Sequence, residues 1–122
     1  MEREEELTVP KAILVVESRP IDPARADEYH DWYDNIHLKD VCAIPGFTGA
    51  RRYTLSKIQQ GEIDPARAEH IAIYEIEGPD LQEVLNGLRT RFESGDLGPG
   101  GDSIQVDPPP YVALFELREP GI

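Results

Sequence analysis

The strands that this sequence can form are apolar on both faces, which restricts the chain to folds in which a sheet is covered twice. Side chains alternate along a strand, so an antiparallel sheet with one wet face reads apolar, polar, apolar. Three stretches here do not. In Ala12-Ile13-Leu14-Val15-Val16, bracketed by Pro10 and Pro20, Ala12, Leu14 and Val16 point one way and Ile13, Val15 and Glu17 the other. In the stretch from His70 to Ile76, Ala72, Tyr74 and Ile76 oppose Ile71, Ile73 and Glu75. In the stretch from Tyr111 to Arg118, Ala113, Phe115 and Leu117 oppose Val112, Leu114 and Glu116. The wholly apolar set of each strand is expected to face helices. The remaining aliphatics, Ile13, Val15, Ile71, Ile73, Val112 and Leu114, are too many to leave in water. They predict a second cover: another copy of the chain, a ligand, or both. Glu17, Glu75 and Glu116 are expected at strand ends or in a lumen, with Arg51 or Arg52 as counter-charge.

Between these strands the apolar period changes to that of a helix. Asp22-Pro23 is a helix start, Asp as cap and Pro at the first position. Tyr29, Trp32, Tyr33, Ile36 and His37 then follow at helical spacing to about Asp40, and Pro45-Gly46 ends the segment. Phe47–Lys57 reads as a second strand. Gly78-Pro79-Asp80 opens a second helix striped by Leu81, Val84, Leu85 and Leu88, running to about Phe92. The order is β-α-β-β-α-β. It predicts an α+β, ferredoxin-like fold: a four-stranded antiparallel sheet with both helices on one face. Residues 1–10 read as an acidic tail and residues 11–122 as one domain. Residues 95–110 are rich in Gly and Pro and have no period. The hexapeptide Ile-Asp-Pro-Ala-Arg-Ala occurs twice, from Ile21 and from Ile63. The second copy lies between strands two and three, so it does not follow the pseudo-symmetry of the fold. A short helical turn is expected there at most.

With 12 Lys and Arg against 24 Asp and Glu, the net charge is −12. Nucleic acid and anionic membrane surfaces are therefore unsuitable partners. No apolar run approaches the roughly 20 residues of a spanning helix, and the acidic start is unlike a secretory leader. A cytoplasmic location is expected. The single cysteine, Cys42, allows no internal disulfide and reads as a small core residue.

Chemistry concentrates in one segment, Tyr29-His30-Asp31-Trp32-Tyr33-Asp34-Asn35-Ile36-His37-Leu38. On a helix Tyr33 and His37 share a face, as do His30 and Asp34, and Asp34 lies three residues from His37. A carboxylate that orients an imidazole makes an acid/base pair suited to neutral pH. The competing reading makes Tyr29, Trp32, Tyr33 and Ile36 a core stripe with both histidines at the surface. No phosphate loop, dinucleotide fingerprint or nucleophile elbow is present. Three histidines at these spacings are a weak metal signal, and neither metal nor cofactor is expected.

At Trp32-Tyr33-Asp34-Asn35-Ile36-His37-Leu38, Ile44-Pro45-Gly46-Phe47 and Ala50-Arg51-Arg52-Tyr53, the chain resembles the EthD-like group of the dimeric α+β barrel superfamily. The segment His70-Ile71-Ala72-Ile73-Tyr74-Glu75-Ile76 fits the third strand of that group. The resemblance implies a homodimer joined through the sheet faces, and a small-molecule substrate. It implies cofactor-free acid/base chemistry on a polyketide-like or aromatic compound: cyclisation, dehydration, decarboxylation or isomerisation. His37 would be the acid/base, Asp34 its orienter, and Tyr33 a further catalytic group. Trp32, Arg52, His70 and Tyr74 would bind substrate. Some cyclase relatives use a histidine on the third strand, which makes His70 the second acid/base candidate. A cofactor-free monooxygenase and a non-enzymatic dimeric binding protein are the alternatives on the same barrel.

Overall fold

The structure is a computed structural model and describes residues 10–119. The acidic tail expected at 1–10 thus lies, except for Pro10, outside the described residues. Strand β1 is Ala12–Ser18. A 3₁₀ turn, Pro23–Arg25, leads into helix α1, which is built of three successive runs, Ala26–Trp32, Tyr33–His37 and Leu38–Cys42. Then come β2 (Phe47–Thr54), β3 (His70–Ile76), helix α2 (Leu81–Glu93), a 3₁₀ turn at Gly101–Ser103, and β4 (Tyr111–Glu116). The sheet order is β2-β3-β1-β4, antiparallel throughout. This is the α+β plan that the sequence predicts. No helix among the described residues is long and apolar enough to cross a membrane.

The core lies between the sheet and the helices. Tyr29, Trp32, Tyr33 and Val41 from α1 and Val84 from α2 are buried against Ala12, Leu14, Ala72, Tyr74 and Ile76 of the sheet. Asp80 caps α2 by accepting a hydrogen bond from the Glu83 amide at 3.2 Å, which is the start the sequence marks. The turn into β2 needs Gly46. Its φ of +100° is open to glycine, and a Cβ there would sit 2.4 Å from Cγ2 of Val84.

The two copies of Ile-Asp-Pro-Ala-Arg-Ala fold alike. Asp22 accepts from the Ala24 amide at 2.9 Å, and Asp64 accepts from the Ala66 amide at 2.9 Å. Each turn closes with a backbone bond from the arginine amide to the aspartate carbonyl, Arg25 to Asp22 and Arg67 to Asp64. These are Asx turns primed by proline. Only the first runs on into a helix. The two arginines leave in different directions, Arg25 to Glu28 and Asp102, Arg67 to Glu17.

One face assignment is corrected. Leu14 pairs with Leu114, Val16 with Val112 and Ala12 with Glu116, so these residues of β4 lie on the helix side. Ala113 and Phe115, opposite Val15 and Ile13, lie on the open side. The apolarity of a strand face does not orient an edge strand, whose helix side is only half roofed: Val112 is 50 % exposed. The correction makes the open face more apolar. It carries Ile13, Val15, Ile71, Ile73, Ala113 and Phe115, with Phe115 56 % exposed and Tyr53 and Tyr111 beside it. Its charges are paired within the subunit, Arg51 with Glu75 at 3.8 Å and Arg67 with Glu17. Arg52, one residue on, points to the helix side.

Gly46→Ala should lower the unfolding free energy by about 2–4 kcal/mol, from left-handed backbone strain and the clash with Val84. Urea unfolding followed by circular dichroism measures it, and an unchanged midpoint would contradict the turn geometry.

Candidate active site

The middle of α1 is not α-helical. Residues Tyr33–His37 form a π turn, in which the Leu38 amide donates to the Tyr33 carbonyl, five residues back. In an α-helix residues five apart are separated by about 140° around the axis, at roughly 100° per residue. The wider turn brings Trp32 and His37 onto one side instead. Their rings stack with centroids 4.5 Å apart and an interplanar angle of 19°. Single π turns inside α-helices occur often at functional positions.

His37 is thereby held in aromatic surroundings. Tyr33 meets it edge-on at 5.1 Å, Phe92 of α2 lies at 5.6 Å and Tyr74 of β3 at 6.5 Å. The imidazole is 6 % exposed, and among the described residues it has no protein hydrogen-bond partner. Burial pushes its pKa down to about 4. Asp40 works against that shift, while Arg91 and Arg52 add to it. Asp40 does not bond the ring; it is clasped by Arg91 at 2.6 Å. His37 is a neutral base at physiological pH.

It faces a cavity of about 340 Å³ between sheet and helices. Leu14, Val16 and Tyr74 form the floor, and Trp32, Tyr33, His37 and Val41 one wall. Leu88 and Phe92 of α2 form another wall, while Leu97, Ile104, Val106, Pro109, Pro110 and Val112 close the rest. The aperiodic loop 95–110 is therefore the roof. Its seat on α1 depends on the indole of Trp32, which donates to the Leu97 carbonyl at 2.7 Å. Gly100, with φ +88°, lets the loop lie close to that residue; a Cβ would stand 3.2 Å from Cβ of Trp32. Arg25 to Asp102, and backbone bonds from Ile21 to Ser103 and Gln105 to Arg19, fix its middle. Beside the exposed Phe92, Val106 and Val112 the roof is incomplete.

The residues singled out in the sequence fall into two groups. Trp32, Tyr33, His37 and Tyr74 come together at the cavity. Asp34, Arg52 and His70 do not. Asp34 is exposed and bonds Arg52 at 2.9 Å, so it does not orient His37. The π turn explains this: it rotates the ring away from the face that an i, i+3 spacing would share. Arg52 also meets Nδ1 of His30 at 3.1 Å and lies over the Tyr33 ring at 4.3 Å, behind the cavity wall. His70 packs under α1 beside His30, ring centroids 4.6 Å apart, and pairs with Thr54 at 3.0 Å. Burial, followed by His30 and Arg52, lowers its pKa. His30, read from its spacing as a surface residue, is instead half-buried and linked to β2 and β3 through Arg52 and His70. Cys42 is half-buried, and burial pushes its thiol up. Among the described residues no three His, Cys, Asp or Glu side chains gather as a metal would need.

Sequence reasoning missed Phe92 and the loop residues of the roof, which have no periodic signal. It also placed the lumen on the open side of the sheet, whereas the cavity that His37 faces is on the helix side. A second hollow, of about 390 Å³, is lined by Glu17, Arg19, Ala66, Pro108 and Tyr111. Glu17 is already paired with Arg67 there, and no imidazole faces it.

The geometry defines a ferredoxin-like α+β protein with an apolar, histidine-bearing cavity between sheet and helices. No family model matches the chain, and no curated protein does. Among solved structures it is similar to HapK from Hahella chejuensis, with a TM-score of 0.61 and 15 % identity over 91 % of this chain and 96 % of that one. At that identity the likeness is one of fold.

His37 should also make stability depend on pH. Its folded pKa, about 4, lies below the ordinary 6.5, so the unfolded chain takes up the proton first as pH falls. The stability due to the neutral ring is complete above 6.5 and is lost down to about 4, roughly 3 kcal/mol in all. His37→Phe removes the titration. Its stability relative to wild type should rise by about that amount over this interval in urea unfolding, and a constant difference would contradict the burial of a neutral imidazole.

Proposed function

We propose that this chain is a small-molecule enzyme in which His37 acts as general base, and then acid, on an oxygenated polyketide-like or aromatic substrate. The observation that supports this most is a neutral imidazole that faces an apolar cavity and, among the described residues, is engaged by no protein hydrogen bond. A structural histidine normally uses at least one ring nitrogen. Here the partner is left to the substrate.

The chemistry follows from the surroundings. An imidazole in a dry site takes up a proton readily only if an anion forms beside it, because a lone buried cation is costly. Abstraction from a carbon next to a carbonyl meets that condition. The C–H bond breaks, its electron pair passes to the carbonyl oxygen as an enolate, and His37 becomes imidazolium. The imidazolium and enolate together are neutral. The same proton then goes to another carbon, completing an isomerisation, or to a departing hydroxyl, completing a dehydration. Tyr33 and Tyr74 line the cavity beside His37, and burial keeps both phenols protonated. Asp34 takes no part in this account; Trp32, by stacking, is the group that orients the ring.

The almost wholly apolar walls favour one other reading, a binding protein without catalysis. Hydrogen–deuterium exchange separates the two. β-Tetralone in D₂O, followed by proton NMR, should lose its benzylic α-protons faster with the protein than without. His37→Phe should reduce the catalysed rate by about 10²–10⁴-fold. Binding without exchange would leave only the non-catalytic reading.

The open face of the sheet we assign to a second copy of the chain. Ile13, Val15, Ile71, Ile73 and Phe115 form one continuous apolar surface whose neighbouring charges are neutralised within the subunit. Light scattering at micromolar concentration should give about twice the 13.7 kDa of the chain. Ile73→Glu should give a folded monomer, and a wild-type monomer would refute the assignment.

A further inference from the structure

We propose that the cavity also takes carboxylic acids with an apolar body, and that His37 is their counter-ion. One proton is shared between a carboxyl oxygen and the unbonded ring nitrogen, so each acid that binds brings one proton with it. The inference rests on reading the cavity as a ligand site faced by an unbonded imidazole. It adds a second class of ligand, one that occupies the base and so competes with an enolisable substrate.

The other polar groups of the lining are already engaged or out of reach. Among the described residues the lining holds no Lys, Arg, Asp or Glu. The Trp32 N–H is given to the Leu97 carbonyl at 2.7 Å. The Tyr74 hydroxyl has no accessible surface and interacts with the phenol of Tyr33. His37 differs from these. It is 6 % exposed and bonds no described residue. Yet the fully buried side-chain polar atoms without a partner are Nε of Arg52 and the Tyr74 hydroxyl, and no ring nitrogen of His37 is among them. Its nitrogen edge therefore keeps some surface, and the space it lines is the cavity.

The proton decides what can enter. A bare carboxylate would lose its water beside a neutral imidazole, and a bare imidazolium would be as costly; burial accordingly lowers the pKa of His37 to about 4. Together the two are neutral. A proton from solvent joins the ring nitrogen, the carboxylate accepts the N–H, and one charge-assisted hydrogen bond replaces two stranded charges. The groups facing the imidazole leave this role to it. They are Tyr33 and Asp40 of α1, Arg91 of α2, Arg52 of β2 and Tyr74 of β3, while β1 and the loop contribute apolar residues. Burial keeps both phenols protonated. Arg91 is held by Asp40 at 2.6 Å and Arg52 by Asp34 at 2.9 Å, so both cations already have a carboxylate. The body of the acid fits the apolar walls of about 340 Å³ and the lip where Phe92, Val106 and Val112 are exposed. Phe92 joins the two regions, 5.6 Å from the imidazole and 42 % exposed. A nitrogen that holds a carboxyl proton cannot take one from carbon, so the bound acid blocks enolisation.

Two probes of one ring skeleton test this, β-naphthoate and naphthalene. Trp32 is the single tryptophan, so its indole N–H resonance reports binding at the wall of the cavity. From about pH 5.5 to 7.5, above both the ordinary carboxyl range and the pKa of His37, naphthoate affinity should fall about tenfold per pH unit while naphthalene affinity stays constant. Calorimetry in two buffers should count about one proton taken up per naphthoate. In ¹⁵N-labelled protein, naphthoate should move the bare ring nitrogen of His37 towards its imidazolium shift, and naphthalene should not. These readouts use the wild-type chain. His37→Phe, its fold checked by circular dichroism, should weaken naphthoate by about tenfold or more at pH 5.5 and leave naphthalene within about twofold. Failure of naphthoate to bind at pH 5.5, an affinity that does not change with pH, or unmoved His37 nitrogens at saturation would each overturn the inference. So would equal effects of His37→Phe on acid and hydrocarbon. Binding of naphthoate with its proton, without exchange of β-tetralone, would refute the catalytic reading and leave this inference standing. Catalysed exchange that naphthoate does not inhibit would refute this inference and leave the catalytic reading standing.

Discussion

The indole of Trp32 holds the cavity together. Its face stacks on His37, and its N–H carries the Leu97 carbonyl. The first contact positions the imidazole in place of the hydrogen bond that a structural histidine would make. The second ties an irregular loop to a helix and so roofs the cavity. The first depends on the π turn at Tyr33–His37, because a regular helix would place Trp32 and His37 on different sides. The turn gives up regular hydrogen bonding to aim one ring.

The sheet divides the molecule into two apolar environments with different uses. On the helix side, aromatic residues from α1 and β3 leave a space that the loop only partly closes. On the other side the surface is flat, aliphatic and uncovered within the subunit. Glu17 and Glu75 on the open face are each met by an arginine, and Asp34 and Asp40 neutralise the cations nearest the cavity. Proton transfer between neutral partners is the chemistry such a space supports best, since any charge it creates must be created in pairs.

Much of the architecture is legible in the sequence because it rests on short-range signals. The period changes from two to 3.6 and back, Asp22-Pro23 and Gly78-Pro79-Asp80 mark helix starts, and Pro45-Gly46 marks a turn that only glycine can make. The orientation of β4 is not legible, since both of its faces are apolar and only pairing with β1 decides between them. At the site, helical spacing finds Trp32, Tyr33 and His37, and alternation finds Tyr74. It misassigns Asp34, because the π turn shifts every angular relation after residue 32 and leaves no trace in composition. The roof is illegible for another reason. Leu97, Ile104, Val106 and the prolines reach the cavity through tertiary bonds to Trp32, Arg19 and Ile21, and no local pattern encodes those.

The central claim is that His37 is a neutral base buried among aromatic walls. It is tested most directly by the ring nitrogen chemical shifts of the three histidines in uniformly ¹⁵N-labelled protein, followed as pH falls. His37 is assigned by its loss in His37→Phe. The account predicts one neutral tautomer of His37 through the ordinary imidazole range, with protonation only near pH 4. Titration of His37 at its ordinary value of 6.5 would show a solvated ring and contradict the account.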